Sequence, residues 1–138
     1  MFSRLLLPID FSPSADSALV TARQHFPEAS VRLLHIISAQ RVATLYADTF
    51  VSPVDAAAAR RTLEQESLER LQELAQENEE CTVVVGQPAQ AILEQAAAWH
   101  PDLIVMGTHG RTGLAHFLNG SVAEEVVRNA RLPVLVMH

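Results

Sequence analysis

Two rhythms alternate along this chain of 138 residues. Short runs in which nearly every position is apolar give way to longer stretches in which apolar residues return every three or four. The first rhythm belongs to strands buried on both faces, the second to helices with one buried stripe. Arg4 to Asp10, RLLLPID, is the first apolar run, with Pro8 placed near the strand end because it has no N–H to give a ladder. A helix follows, with Ser12 as candidate N-cap and Pro13 at the first helical position. Ala15, Ala18, Leu19, Ala22 and Phe26 form its buried stripe, and Pro27 stops it. Val31 to Ile37 is the second strand. Ser38 to Val54 has no clear period and contains Pro53, so a long, mobile connection is expected there. Asp55 is a candidate cap for a helix running to about Asn78, with Leu63, Leu71 and Leu74 near one side and charges of mixed sign elsewhere.

The second half repeats the scheme. CTVVVG, from Cys81, is the third strand, and Pro88 opens a helix with Ala89, Ile92, Leu93, Ala96 and Ala97 on one stripe. Asp102 to Gly107 is the fourth strand. Ala123, Val126, Val127 and Ala130 mark a fourth helix, and PVLVM, Pro133 to Met137, is the fifth strand. Strands alternating with helices imply an α/β fold with a doubly wound parallel sheet and helices on both faces. Periodicity alone does not set the strand order. In such sheets ligands bind beyond the carboxyl ends of the strands, where the winding reverses. Asp10 and a glycine-rich stretch after the fourth strand both stand at carboxyl ends.

Composition narrows the class. The length fits one domain over residues 1–138. A formal net charge of −6 disfavours a general binder of nucleic acid or anionic membrane. The lone Cys81 excludes an internal disulfide and reads as a small apolar strand residue. No apolar run approaches the ~20 residues of a membrane span. MFSRLLLPIDFS reads as a strand rather than a signal peptide, so a cytoplasmic location is expected.

Four of the five glycines fall between Gly107 and Ser121, in GTHGRTGLAHFLNGS. Gly110 follows Gly107 by three residues, nine residues separate it from Gly120, and Ser121 comes next at a helix start. Backbone N–H groups at a helix start carry partial positive charge and suit phosphate; Ser121 adds a hydroxyl, and Gly120 lets an anion approach the backbone. Gly107 and Gly110 would let the turn lie against a ribose or phosphate. Leu114, Phe117 and Leu118 have helical spacing, and a short helical turn is expected to pin the stretch. The alternative is a surface loop whose glycines serve only turns. The stretch is neither a Walker A motif nor the dinucleotide GxGxxG.

Single residues carry two readings each. Asp10 suits a ribose hydroxyl or an amino group, or caps the first helix. His109 and His116 could meet phosphate or contribute to catalysis, but with no paired carboxylate or second motif they read as solvated loop residues. Arg111 is either a phosphate neighbour or a solvated residue. His35 is expected in the core or at a subunit contact. Tyr46 and Trp99 read as packing residues, and the histidines show no metal-ligand spacing. No nucleophile–base–orienter set is visible.

Gly107-x2-Gly110-x9-Gly120-Ser121 resembles the G-2x-G-9x-G-(S/T) nucleotide motif of the universal stress protein family. RLLLPIDFSPSADSAL, VRLLHII and most of the chain from Val83 onward resemble the family as well, whereas about Ser38 to Asn78 carries no family signature. The resemblance implies five parallel strands in order 3-2-1-4-5. It also implies ATP as ligand with Mg2+ neutralising the phosphates. Pro8, Asp10 and Ile36 would hold the nucleoside, Met106 and Gly107 would lie along base and ribose, and Gly110, Gly120, Ser121 and Val122 would receive the phosphates. It further implies a homodimer joined through the fifth strand, and a role as a nucleotide-dependent regulator in stress survival. A slow ATP hydrolase or nucleotide transferase, and a nucleotide-free interaction module, remain as alternatives.

Overall fold

A computed structural model describes residues 1–108 and 120–138. The elements in chain order are β1 (Arg4–Pro8), α1 (Pro13–His25), β2 (Ser30–Ser38), α2 (Ala39–Ala47), α3 (Pro53–Leu74), β3 (Glu80–Gly86), α4 (Pro88–Trp99), β4 (Leu103–Gly107), α5 (Gly120–Asn129) and β5 (Val134–Met137). The strands form one parallel sheet in the order β3-β2-β1-β4-β5, as the family resemblance implies.

Alternate strand residues feed two cores. On one face Leu5, Leu7, Leu33 and Val105 meet Ala15, Ala18 and Leu19 of α1 and Leu71 of α3. On the other, Leu6, Leu34, Ile36, Ile104 and Met106 meet Ile92 and Ala96 of α4 and Ala123 and Val126 of α5. The winding therefore reverses between β1 and β4. The expected stripe of α1 is buried except for its last member: Phe26 ends the helix as C-cap and packs edge-on against Phe2, with ring centroids 5.8 Å apart.

The expected cap and stop signals act where a side chain carries them. The Ser12 hydroxyl accepts from the Ala15 amide, and Pro13 takes the first helical position. Arg23, near the end of α1, pairs with Glu79 at 2.6 Å and donates to the Leu74 carbonyl at 2.7 Å, tying α1 to the end of α3. Burial alone would push the Glu79 carboxyl up, but the Arg23 hydrogen bond, the hydrogen bond from the Gln76 amide and the Arg23 charge together outweigh it, and the pKa falls below its ordinary value.

Three expectations are corrected. The stretch expected as a loop from Ser38 to Val54 holds a nine-residue helix, α2, capped where Ser38 accepts from the Gln40 amide. Only Val42 of α2 is buried, so the segment has no apolar period to read. The cap of α3 is Ser52, whose hydroxyl accepts from the Asp55 amide, with Pro53 as first helical residue; Asp55 is not the cap. Tyr46 is half exposed rather than packed, and Phe50, just beyond α2, is 98% exposed. Trp99 does pack: the guanidinium carbons of Arg4 and Arg32 lie 4.2 and 4.7 Å from its ring centroid. Cys81 is half buried, and burial raises its thiol, with Glu79 adding to the effect, as suits an unreactive strand residue. Among the described residues no helix is long and apolar enough to cross a membrane.

Candidate functional site

The β1–β4 ladder runs over Leu5–Leu103 and Leu6–Ile104, whereas β1 keeps register with β2 as far as Pro8–Leu34. The Ile9 N–H also turns to β2, donating to the Leu34 carbonyl at 2.8 Å. Backbone groups alternate in direction along a strand, so the Pro8 nitrogen turns toward β4 with no hydrogen to give. The ladder ends there, at the reversal of winding. A proline two residues before Asp10 thus keeps the strand ends unzipped where a ligand would enter.

Asp10 stands just past β1 and is only 5% exposed. Its Oδ1 accepts from the Ser12 amide at 3.0 Å. Among the described residues its Oδ2 is buried without any hydrogen-bond partner. A buried polar atom left unpaired costs about 1–3 kcal/mol, and more if charged. A ligand hydroxyl or amino group would recover that energy. Asp10 does not cap α1 directly, since Ser12 fills that position; it orients the cap through the Ser12 amide.

Gly107 ends β4 against the start of α1. A Cβ there would stand 2.7 Å from the Ser14 carbonyl carbon and 2.8 Å from the Ala15 nitrogen. The glycine is thus required by the close approach of strand and helix, a reason separate from any ligand. Met106 and Ile36 are fully buried, with side chains in the α4–α5 core, so only their backbones can face a nucleoside. Pro8, Asp10, Ile36, Met106 and Gly107 are thereby collected at the carboxyl ends of three adjacent strands. Gly120, Ser121 and Val122 open α5, and the next residue, Ala123, packs in the same core as Met106 and Ile36. Gly110 lies outside the described residues, as do His109 and His116, expected as solvated loop residues, Arg111, left open between phosphate neighbour and solvated residue, and the expected turn of Leu114, Phe117 and Leu118.

His35 lies beside Asp10 in the core, 6% exposed. Its Nδ1 is 2.7 Å from the Ile9 carbonyl, and since a carbonyl only accepts, Nδ1 carries the hydrogen. Burial pushes the imidazole below its ordinary pKa of 6.5. The Ile9 bond and Asp10 pull it back up, and Arg70 and Arg41 press it down. His35 is therefore neutral at pH 7.

Sequence reasoning missed three residues at this end of the sheet. Ser14 is buried, with its Oγ 3.3 Å from that of Ser12. Thr108 is buried and donates to the Met137 carbonyl from both its N–H, at 2.8 Å, and its hydroxyl, at 3.2 Å. Phe11 takes φ 65°, a conformation bulky residues avoid and which costs on the order of 1–3 kcal/mol. The dense small and polar residues around Asp10 were the available signal for Ser14. No local signal marks Phe11. Among the described residues no group of three or more His, Cys, Asp or Glu could hold a metal ion.

The model of the Universal stress protein family matches residues 1–138. Universal stress protein MJ0577 of Methanocaldococcus jannaschii is 30% identical over 156 aligned positions, covering 99% of this chain and 95% of that protein. The solved structure of MJ0577 is similar with a TM-score of 0.81 at 28% identity, covering 99% and 96% of the two chains. A universal stress protein of Thermus aquaticus, encoded 3' of a QAH/OAS sulfhydrylase, is 31% identical over 140 positions and covers 99% of each chain. A universal stress protein solved in complex with cAMP shares the fold, with a TM-score of 0.61 at 23% identity over 99% and 97% of the chains. Strand order, the unzipped β1–β4 junction and these likenesses agree, and the chain belongs to the universal stress protein family.

Proposed function

We propose that this protein binds ATP at the carboxyl ends of β1 and β4 and acts as a nucleotide-dependent regulator in stress response. The observation that carries the reading is the buried Oδ2 of Asp10 at the reversal of winding, which has no partner among the described residues. It is an acceptor suited to a ribose hydroxyl or the adenine amino group and unsuited to phosphate. The backbones of Ile36, Met106 and Gly107 would border the nucleoside. Gly110, Gly120, Ser121 and Val122 would receive the phosphates, helped by the positive end of the α5 dipole. The cAMP carried by a relative of the same fold supports an adenine nucleotide as the ligand class. Mg2+ would be held mainly by the phosphates, neutralising their charge.

The reading is of a binding protein in the cytoplasm rather than a dedicated enzyme. Of the described titratable side chains at the junction, Asp10 is an acceptor for the nucleoside and His35 is neutral and tied to the Ile9 carbonyl. Neither is offered as a base for water, so turnover should fall far below the ~10 s⁻¹ of a typical enzyme.

A homodimer through β5 completes the reading. β5 is a sheet edge, and the apolar Val127 of α5, 52% exposed, lines a surface groove together with Val136. An apolar edge strand invites a second copy about a two-fold axis.

The decisive experiment is to purify the protein and identify any nucleotide that accompanies it, then to titrate ATP into wild type and Gly120→Val by calorimetry. Binding by wild type and its loss in a folded variant is the expected result. Equal affinity for both would overturn the site assignment.

A further inference from the structure

Phe11 stands between the aspartate and the helix cap in left-handed backbone, at φ 65°. A bulky residue stays in that region only when its surroundings hold it. Two side chains from distant elements do so. The His35 ring of β2 lies 4.7 Å from the Phe11 ring, tilted by 40°. The guanidinium carbon of Arg70, on α3, stands 4.1 Å from the Phe11 ring centroid. His35 is fixed in turn by donating to the carbonyl of Ile9. The two chain neighbours of Asp10 are thus each fastened to one cluster, Ile9 through its carbonyl and Phe11 through its ring.

We infer that Phe11, His35 and Arg70 are positioning residues that aim the Asp10 carboxylate, and that ligand contact at Asp10 is thereby coupled to the seating of helix α3. The identity of the ligand rests on the nucleotide reading above; the aiming of Asp10 does not. Arg70 is exposed, but the next residue, Leu71, is fully buried beneath α3. Any shift of α3 on the sheet therefore carries the guanidinium with it. The charged groups acting on His35 come from three directions: Asp10 beyond β1, Arg70 on α3 and Arg41 on α2. Both helices of the segment without family signature therefore bear on His35, which holds the Ile9 carbonyl next to Asp10.

The Ser12 amide donates to Asp10 Oδ1 and reports that bond directly, so its proton shift, read by NMR in the ligand-free protein, is the first measurement. Adenosine affinity by calorimetry and the melting temperature are the others. Arg70→Met removes the cation and keeps a good helix former; Arg70→Lys restores a cation. Phe11→Asn removes the ring and tolerates left-handed backbone. Arg70→Met is expected to move the Ser12 amide upfield and to weaken adenosine roughly two- to fivefold at unchanged melting temperature. Arg70→Lys should recover both, and Phe11→Asn should exceed both losses. An unmoved Ser12 amide in Arg70→Met and Phe11→Asn overturns the inference, whatever the affinities do. Equal losses in Arg70→Lys and Arg70→Met overturn the coupling through the cation. A Ser12 amide that moves as expected in a protein that binds no adenosine upholds the aiming of Asp10 and rejects the nucleotide reading.

Discussion

Gly107 and Ser14 meet with no room for a side chain between them: a Cβ on Gly107 would lie 2.7 Å from the Ser14 carbonyl carbon. The Ser14 Oγ is also in the way and could turn aside, but the Ser14 carbonyl carbon and the Ala15 nitrogen at 2.8 Å are backbone, so relief requires β4 and α1 to part. Gly107→Ala is expected to destabilise the ligand-free protein by about 1–3 kcal/mol. The melting temperature should fall by several degrees, at roughly 2–4 °C per kcal/mol for a domain of this size. An unchanged melting curve would show that the glycine serves only a ligand.

Asp10→Ala removes an acceptor whose Oδ1 is bonded to the Ser12 amide and whose Oδ2 has no partner among the described residues. The expected outcome is a loss of roughly tenfold or more in affinity, of similar size for ATP and adenosine, as for one hydrogen bond to a charged group. Calorimetry with the two ligands checks it. A loss confined to ATP would place the carboxylate near the phosphates and defeat the nucleoside assignment.

Acid should weaken the fold in two stages. His35 has a lowered pKa when folded, so between that value and 6.5 the unfolded chain binds more protons than the native one. Its contribution is complete above about 6.5 and is lost as pH falls through the folded value. Glu79 is also lowered, and its contribution is complete above its ordinary 4.5 and is lost as pH falls further. Urea midpoints from pH 7.5 to 4 should decline across the first window in wild type and flatten there in His35→Gln. An equal slope in both proteins would remove His35 as the cause.

The two edges of β5 allow the proposed dimer to be tested apart from folding. Ile104 donates to the Pro133 carbonyl at 3.1 Å and Thr108 to the Met137 carbonyl at 2.8 Å. By alternation the N–H groups of Leu135 and Met137 turn inward to β4, and those of Val134 and Val136 turn outward. Val136→Pro should therefore yield a folded monomer, whereas Leu135→Pro should damage the sheet itself. Light scattering beside circular dichroism distinguishes the two. A wild type that is monomeric at micromolar concentration, with or without ATP, would remove the proposed dimer.

Most of the architecture was legible because each element carries its own local signal. Buried strands read as apolar runs, and Ser12–Pro13 and Pro88 mark helix starts through chemistry confined to one turn. Helix α2 was not legible, because a helix that buries only Val42 leaves no stripe. Asp10 was legible as an acid at a strand end. The family resemblance, not the periodicity, supplied the strand order. Gly107 was legible as a special position, but its packing reason was not, since Ser14 lies more than ninety residues away in sequence. The positive φ of Phe11 was hidden for the same reason: the side chains packed on its ring sit on β2 and α3.

The opposite end of the sheet is bound differently. Asp102 accepts from the amides of Ser3 and Arg4 at 2.9 and 3.0 Å; Arg4 and Arg32 lie against Trp99, and Arg32 reaches across to Glu80 on the next strand. The sheet is therefore built like a hand fan, riveted at the amino ends of its strands, with the ribs β1 and β4 parted at their carboxyl ends beside Pro8. Thermal motion should follow that asymmetry. Amides of Arg4 and Leu5 would exchange with deuterium only when the whole domain opens, while those of Ser12 and Thr108 would exchange through small local excursions. A ligand seated between the ribs would slow the second group and leave the first untouched.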